Sequence, residues 1–452
     1  MSDATLSRSI ALGVLNRVLF QGAYPDLALD TAFARNSQLS PRDRRLIHQI
    51  VLGVLRWLHR IDYVIDRFVD RKVKNKTVLN ILRMGAYQIL FLDGIADYAA
   101  VNETVNIANL KLGWKISGFV NATLREISRE KDSIEYPGVE QNPTRYIEIV
   151  NSYPRWLSEK WTNAYGTEYT LSLTETLNRI PHTCGRVNRL RATRGEIIQA
   201  LKTKEIEAQK AEYSEDGIVF TNGVNPSLLQ EHKEGLLSIQ DEGAQLCTLL
   251  LNPRPGERVL DACSAPGGKT TYLGELMENT GEIVATDINP ARLKMVNQQS
   301  SRVGLNIVST AIGDASGEDY ETLFSEEFDR VLIDAPCSGL GTIRRNPDVK
   351  WTKSPRMLST LSNIQYRIMD QCSKLVRKGG IMLFVVCTFM PEENEVLCSR
   401  FLGNNTNFEI ATELEDGAKH LGEFFDDRGY FITDPVRHGT DGFFALRLRR
   451  TV

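Results

Sequence analysis

The seven cysteines of this 452-residue chain lack any pairing logic. Cys184, Cys247, Cys263, Cys337, Cys372, Cys387 and Cys398 form no C-x-x-C pair, and no Cys/His group has zinc-ligand spacing. An odd, scattered set excludes a disulfide framework and implies no metal site; reduced thiols in packing roles are the general expectation. Long hydrophobic runs are missing too. The most apolar stretch, around Ile381 to Cys387, is too short to cross a bilayer and fits a buried strand. The N-terminus, MSDATLSRSIALGVLNRVLF, has no apolar core with a small-residue cleavage site, so a cytoplasmic protein without membrane association is expected. No internal repeat is evident, and a net charge of −3 carries no bulk signature of nucleic-acid binding.

The distribution of charge says more than its sum. Between Arg42 and Lys76 ten Lys/Arg face four aspartates, and Arg186 to Arg194 adds four arginines without an acid. Such runs are usually solvated helix faces, but segregated charge permits local phosphate binding on a nearly neutral protein.

Three regions follow from periodicity. Residues 1–130 read as an all-α bundle of five to seven helices: Ile10, Val14, Leu15, Val18 and Leu19 recur at helical spacing, and Ser40-Pro41 offers a cap with proline at the first helical position. Residues 131–142 are polar and contain Pro137-Gly138, which marks a linker. Residues 143–240 mix helix and strand patterns in a small α+β module. From residue 241 to 452, strand-like runs at 258–262, 282–288, 309–313, 328–335 and 380–389 alternate with helices, the last of which Gly379-Gly380 should stop. That alternation specifies an α/β domain with a parallel, doubly wound, Rossmann-like sheet. Two strands near 430–434 and 442–449 should add an antiparallel edge.

In such a sheet, ligands sit beyond the C-terminal strand ends. The first strand ends in Asp261-Ala262-Cys263-Ser264-Ala265-Pro266-Gly267-Gly268-Lys269-Thr270. A phosphate-binding P-loop would need glycine where Cys263 stands, and G-x-G-x-x-G is absent. What remains is a tight Gly-rich turn into a helix, whose amides can meet a carboxylate. Asp287 closes the next strand, twenty residues after Gly267, where an acid can bind ribose hydroxyls. Asp314 ends the third strand pattern and suits an adenine amino group. Each aspartate alone is usually a turn former; three in register describe a site for S-adenosyl-L-methionine (AdoMet).

Asp334 and Cys337 follow the fourth strand, and Cys387 ends the fifth. Adjacent strand ends bring both thiols to one cleft. Each alone reads as a buried structural cysteine; together they suit methylation at cytosine C5, where a sulfur adds to C6 and an acid such as Asp334 assists at N3.

The motifs DACSAPGGKTT, DAPCSGLGTIRRNPDVKW and CTFMPEENE resemble those of the Nop2/Sun RNA cytosine-C5 methyltransferase family. The front half, with PDLALD and PRDRRLIHQIVLGVLRWLHRID, resembles the NusB-like domain of its bacterial branch. The resemblance covers nearly the whole chain. It implies a class I AdoMet methyltransferase domain acting on 16S ribosomal RNA, naked or in an assembly intermediate; a monomer is expected. It implies Cys387 as nucleophile, Cys337 in product release, and AdoMet contacts from Cys263, Ser264, Ala265, Pro266, Gly267, Gly268, Lys269, Asp287, Asp314 and Asp334. One departure is Val386-Cys387-Thr388, where the family usually has Thr-Cys-Ser. This bears on the fine positioning of the sulfur.

Arg344, Arg345, Lys350 and Lys353 surround Trp351, so basic groups for phosphates and a ring for base stacking are expected there, against the alternative of a packed tryptophan. A DNA-type enzyme would instead attack with Cys337, which follows Pro336. A non-catalytic RNA-binding or antitermination protein would need no cysteine pair, and a small-molecule methyltransferase would not need the front half.

Overall fold

A computed structural model describes residues 3–414 and 418–452. It forms two compact units: the chain up to Arg179 together with Ile343–Thr352, and Ile180–Thr342 together with Lys353–Val452.

The first unit is helical. Seven helices, Asp3–Gln21, Pro25–Arg35, Pro41–Arg56, Leu58–Arg67, Lys76–Phe91, Asp97–Leu112 and Trp114–Glu130, precede three more at Pro143–Ile149, Arg155–Tyr165 and Thr167–Asn178. Ser40 caps the third as its sequence indicates, accepting from the Asp43 amide with Pro41 following. Ile47, Ile50, Val54 and Leu55 of that helix enter a core shared with Ile81, Leu82 and Leu124. Gly53 permits the closest approach, because a Cβ there would lie 1.9 Å from the Tyr87 ring. The polar linker is also anchored: Tyr136 stacks on Tyr63 and lies under the Arg60 guanidinium. Helices 143–178, which the sequence suggested belong to the small module, cluster with this unit.

The second unit carries two sheets. Strands β1 (Thr183–Val187), β2 (Ala208–Lys210), β3 (Gly217–Phe220) and β4 (Leu237–Ile239) form an antiparallel sheet in the order β2-β3-β1-β4. The larger sheet contains β5 (Arg258–Asp261), β6 (Glu282–Asp287), β7 (Val308–Ile312), β8 (Phe328–Asp334), β9 (Val376–Val386), β10 (Phe408–Ile410), β11 (Phe431–Thr433) and β12 (Phe443–Arg450). Its order is β10-β12-β9-β8-β5-β6-β7, with β11 also pairing β12. Strands β5 to β9 run parallel, and β12 runs antiparallel to β9. Two details depart from the sequence reading. β12 is interior, flanked by β9 and by the short strands β10 and β11. The helix Pro355–Ser373 ends before Gly379-Gly380, which lie inside β9.

Candidate active site

Parallel pairing sets Asp334 of β8 opposite Val385 of β9, so the segments leaving these strands start side by side. Cys337 and Cys387 meet there, their sulfurs 3.4 Å apart and both thiols half-buried. The contact with Cys387, reinforced by burial, pushes the Cys337 thiol well above its ordinary range. Gly341 ties the two segments by donating its amide to the Cys387 carbonyl at 2.9 Å.

Behind the sulfurs lies a buried polar network. The Ser338 and Thr388 hydroxyls are 2.7 Å apart, and Thr388 donates to Glu393 at 3.2 Å. Glu393 also accepts from the Ser338 amide at 2.8 Å and from Gln365 at 2.9 Å. The departure at Val386-Cys387-Thr388 is thereby accounted for at one of its two positions: the Thr388 hydroxyl serves in the network, while Val386 is buried.

Asp334 is half-buried and paired with the Lys269 ammonium at 2.7 Å. Burial opposes the charge on Lys269, yet Asp334 outweighs it and the lysine is held above its ordinary value. Lys269 belongs to the turn after β5. There Ser264 donates to the Thr286 carbonyl from both amide and hydroxyl, and Gly267 takes φ +103, with its Cβ position 3.0 Å from the Val296 backbone. Arg292 donates to the Ala265 carbonyl at 2.7 Å, and the Cys263 thiol is pushed up by burial.

Asp287 is buried at the end of β6, with one oxygen accepting from the Asn289 amide at 2.8 Å. Asp314 is exposed beyond β7 and accepts from the amide and hydroxyl of Ser316. The donor set fits AdoMet. A glycine turn where a side chain would crowd Val296, a carboxylate ending β6 and an exposed carboxylate after β7 are groups that would suit a charged tail, a ribose and an adenine. Among the described residues no cluster of His, Cys, Asp or Glu could hold a metal ion.

Lys350 and Trp351, expected to meet RNA, have protein partners instead. Within the helical unit Lys350 is fully buried, donating to the Arg56 carbonyl at 2.8 Å and to Asn178 at 3.2 Å. Burial drives its pKa well below the ordinary range. Trp351 donates its indole N–H to the Leu55 carbonyl at 2.5 Å and packs against the helical core. The Arg344 side chain is buried and its carbonyl accepts from Arg56, while Arg345 is half-buried. Lys350 and Trp351 are therefore occupied in packing rather than presented to a phosphate or a base.

The arginine run at 186–194 likewise has protein partners. Arg186 on β1 is buried, pairing with Glu275 at 2.8 Å and donating to the Gly268 carbonyl at 3.0 Å and the Thr271 hydroxyl at 3.1 Å. Arg191 donates to the Glu234 carbonyl and Arg194 to the Ser214 carbonyl. In contrast, Arg42, Arg45, Arg71, Lys72, Lys74 and Lys76 of the helical unit are exposed. Sequence reasoning assigned no role to Glu393, Gln365 or Arg186. For Glu393 the one available signal was its place six residues after Cys387.

A helical front unit, a small α+β sheet and a doubly wound sheet with this turn together define a Rossmann-like methyltransferase with a NusB-type domain. Three family models match the chain: 16S rRNA methyltransferase RsmB/F over residues 248–449, the NusB family over 5–129, and an RsmF/B-like ferredoxin-like domain over 153–226, which joins the helices 155–178 to the small sheet as the sequence suggested. The chain is 35% identical to the probable ribosomal RNA small subunit methyltransferase B of Bacillus subtilis, covering 99% of both proteins. It is 31% identical to the similarly named protein of Synechocystis, covering 98% of this chain and 99% of that one. The crystal structure of PH0851 superimposes with a TM-score of 0.81 at 26% identity, over 100% of this chain and 99% of that one. A methyltransferase homologue from Pyrococcus horikoshii gives a TM-score of 0.56 at 26% identity, over 67% of this chain and 96% of that one. The chain belongs to the RsmB/F family of 16S rRNA methyltransferases.

Proposed function

We propose that this chain methylates C5 of a cytosine in 16S ribosomal RNA through a covalent bond between Cys387 and C6 of the base. The observation that carries the reading is the 3.4 Å approach of two thiols at neighbouring strand ends in a chain of this family. Cytosine C5 is too weak a nucleophile to take a methyl group unaided, and sulfur addition to C6 gives it enamine character. Asp334, oriented by Lys269, is assigned the contact at N3, and it assists addition when its carboxyl carries the proton that N3 takes up as the sulfur adds to C6. AdoMet supplies the electrophilic methyl group. The amides of the Cys263–Lys269 turn would hold its amino-acid tail, Asp287 its ribose and Asp314 its adenine.

After transfer, a base takes the C5 proton and the Cys387 sulfur leaves C6. Cys337 keeps its proton because of its contact with Cys387 and its burial, so it can hand that proton to the departing sulfur. The choice of Cys387, rather than Cys337, as the attacking atom follows the family resemblance of the CTFMPEENE segment. The target carbon is masked in a duplex, so the substrate is an unpaired or flipped cytosine. The exposed basic side chains between Arg42 and Lys76 are assigned the phosphate contacts.

The test uses the wild type, Cys337→Ala and Cys387→Ala with AdoMet and small-subunit RNA, looking for a denaturation-resistant protein–RNA adduct. Accumulation in Cys337→Ala and none in Cys387→Ala is expected. An adduct that requires Cys337 and survives loss of Cys387 would reverse the assignment.

A further inference from the structure

Glu393 is fully buried, and no Lys or Arg among the described residues forms an ion pair with it. A carboxylate removed from water without a cation is tolerated when hydrogen bonds satisfy it. Here every one of those bonds leads to a cysteine segment. Oε1 accepts from the amide of Ser338, the residue after Cys337, at 2.8 Å. The same oxygen accepts from Gln365 Nε2 at 2.9 Å, and that nitrogen also donates at 2.9 Å to the carbonyl of Pro336, the residue before Cys337. Oε2 accepts from the hydroxyl of Thr388, the residue after Cys387, at 3.2 Å. Thr388 closes the ring through its 2.7 Å contact with the Ser338 hydroxyl, and Asn394 donates to its carbonyl at 3.1 Å. One side chain therefore grips the backbone or hydroxyl beside each sulfur.

We propose that Glu393 is a positioning residue for both thiols, the single carboxylate that fixes the Cys337 segment against the Cys387 segment and so sets the sulfur–sulfur separation. It touches neither sulfur and acts through Ser338, Thr388 and Gln365. Without it the segments keep the β8–β9 pairing, the Ser338–Thr388 hydroxyl contact and the Gly341 amide on the Cys387 carbonyl, but lose the one side chain that holds both at once. Both the step that needs Cys387 and the step that needs Cys337 should then slow together.

The rate readout rests on the proposed methyl transfer; a second readout does not. Thiols held 3.4 Å apart close to a disulfide readily when treated with diamide, which takes up the two thiol hydrogens as it is reduced to its hydrazine. In Glu393→Ala, disulfide closure between Cys337 and Cys387 should slow by about tenfold or more as their effective concentration falls. Adduct formation with RNA should slow by a similar factor while the Kd for AdoMet stays within about twofold of the wild type. Glu393→Gln keeps an oxygen for Ser338 and Gln365 and offers an amide to Thr388, so it should restore both rates to within about threefold. If Glu393→Ala does not fold, Gln365→Met removes the arm to Pro336 and should give an intermediate slowing in both readouts. Unchanged disulfide closure in a folded Glu393→Ala or Gln365→Met protein overturns the proposal. So does a loss in Glu393→Ala that Glu393→Gln fails to rescue. Slowed closure in a protein whose wild type forms no RNA adduct would sink the methyl-transfer reading and leave the positioning role standing.

Discussion

Replacing Arg186 by methionine keeps the aliphatic stem and deletes the charge. Arg186 and Glu275 are both wholly buried, and the guanidinium makes two bonds to that carboxylate, at 2.8 and 3.2 Å. It also lies over the Tyr272 ring at 4.4 Å. Removing one partner of a buried pair strands the other charge, a cost of about 3–5 kcal/mol. Burial already raises the Glu275 pKa despite the attraction of Arg186, and without the arginine it must rise further. A carboxyl whose pKa is raised on folding favours the folded state while protonated and loses that advantage as pH climbs through the folded value. The deficit of Arg186→Met should therefore be small at pH values below the ordinary carboxylate range and grow toward neutrality. Adding Glu275→Gln should recover most of it. All five tryptophans lie in the first unit, so the transition is better followed by far-UV circular dichroism and by amide exchange in the helix Gly268–Leu276. AdoMet affinity should fall as well, because Arg186 also holds the Gly268 carbonyl. A loss under about 1 kcal/mol, or one that neither pH nor the second substitution alters, would refute the reasoning.

Two further substitutions test other parts of the structure. In Gly341→Ala the new Cβ would lie 1.9 Å from the Gly442 carbonyl oxygen, so the backbone that holds the Cys387 carbonyl must shift; adduct formation should drop by at least about tenfold, and a wild-type rate would show the contact to be irrelevant. In Lys350→Met the Arg56 carbonyl and Asn178 lose their donor, so stability should fall by about 1–3 kcal/mol while the salt dependence of RNA binding stays unchanged. A slope reduced by about one in a log–log plot would return Lys350 to the phosphate contacts.

The parts of this molecule that could be read from sequence are those where local pattern and tertiary role coincide. Strands β5, β6, β8 and β9 are buried on both faces and so appear as nearly continuous apolar runs. Ser40-Pro41 caps a helix through contacts three residues long. The meeting of Cys337 and Cys387 followed from strand adjacency alone. What escaped depends on distant partners. Three-residue strands such as β10 carry too little pattern, and the interior place of β12 is fixed by β9 and β10 rather than by its own residues. Lys350 looked like a surface cation because the acceptor that buries it, the Arg56 carbonyl, lies 294 positions away. Arg186 looked like one of a run of solvated arginines because Glu275, which buries it, is 89 residues distant.

The helical unit is not contiguous in sequence: Ile343–Thr352, with its buried lysine and its anchored indole, belongs to it although it follows β8 along the chain. A ribosome making this protein must therefore emit the small sheet and the first four parallel strands of the large one before the front unit has all of its parts. Until then the Leu55 and Arg56 carbonyls lack the donors that residues 350 and 351 bring. The oldest part of the nascent chain is finished only once the segment that follows Cys337 has emerged, so neither unit can be cut away at a single point in the sequence without taking a piece of the other.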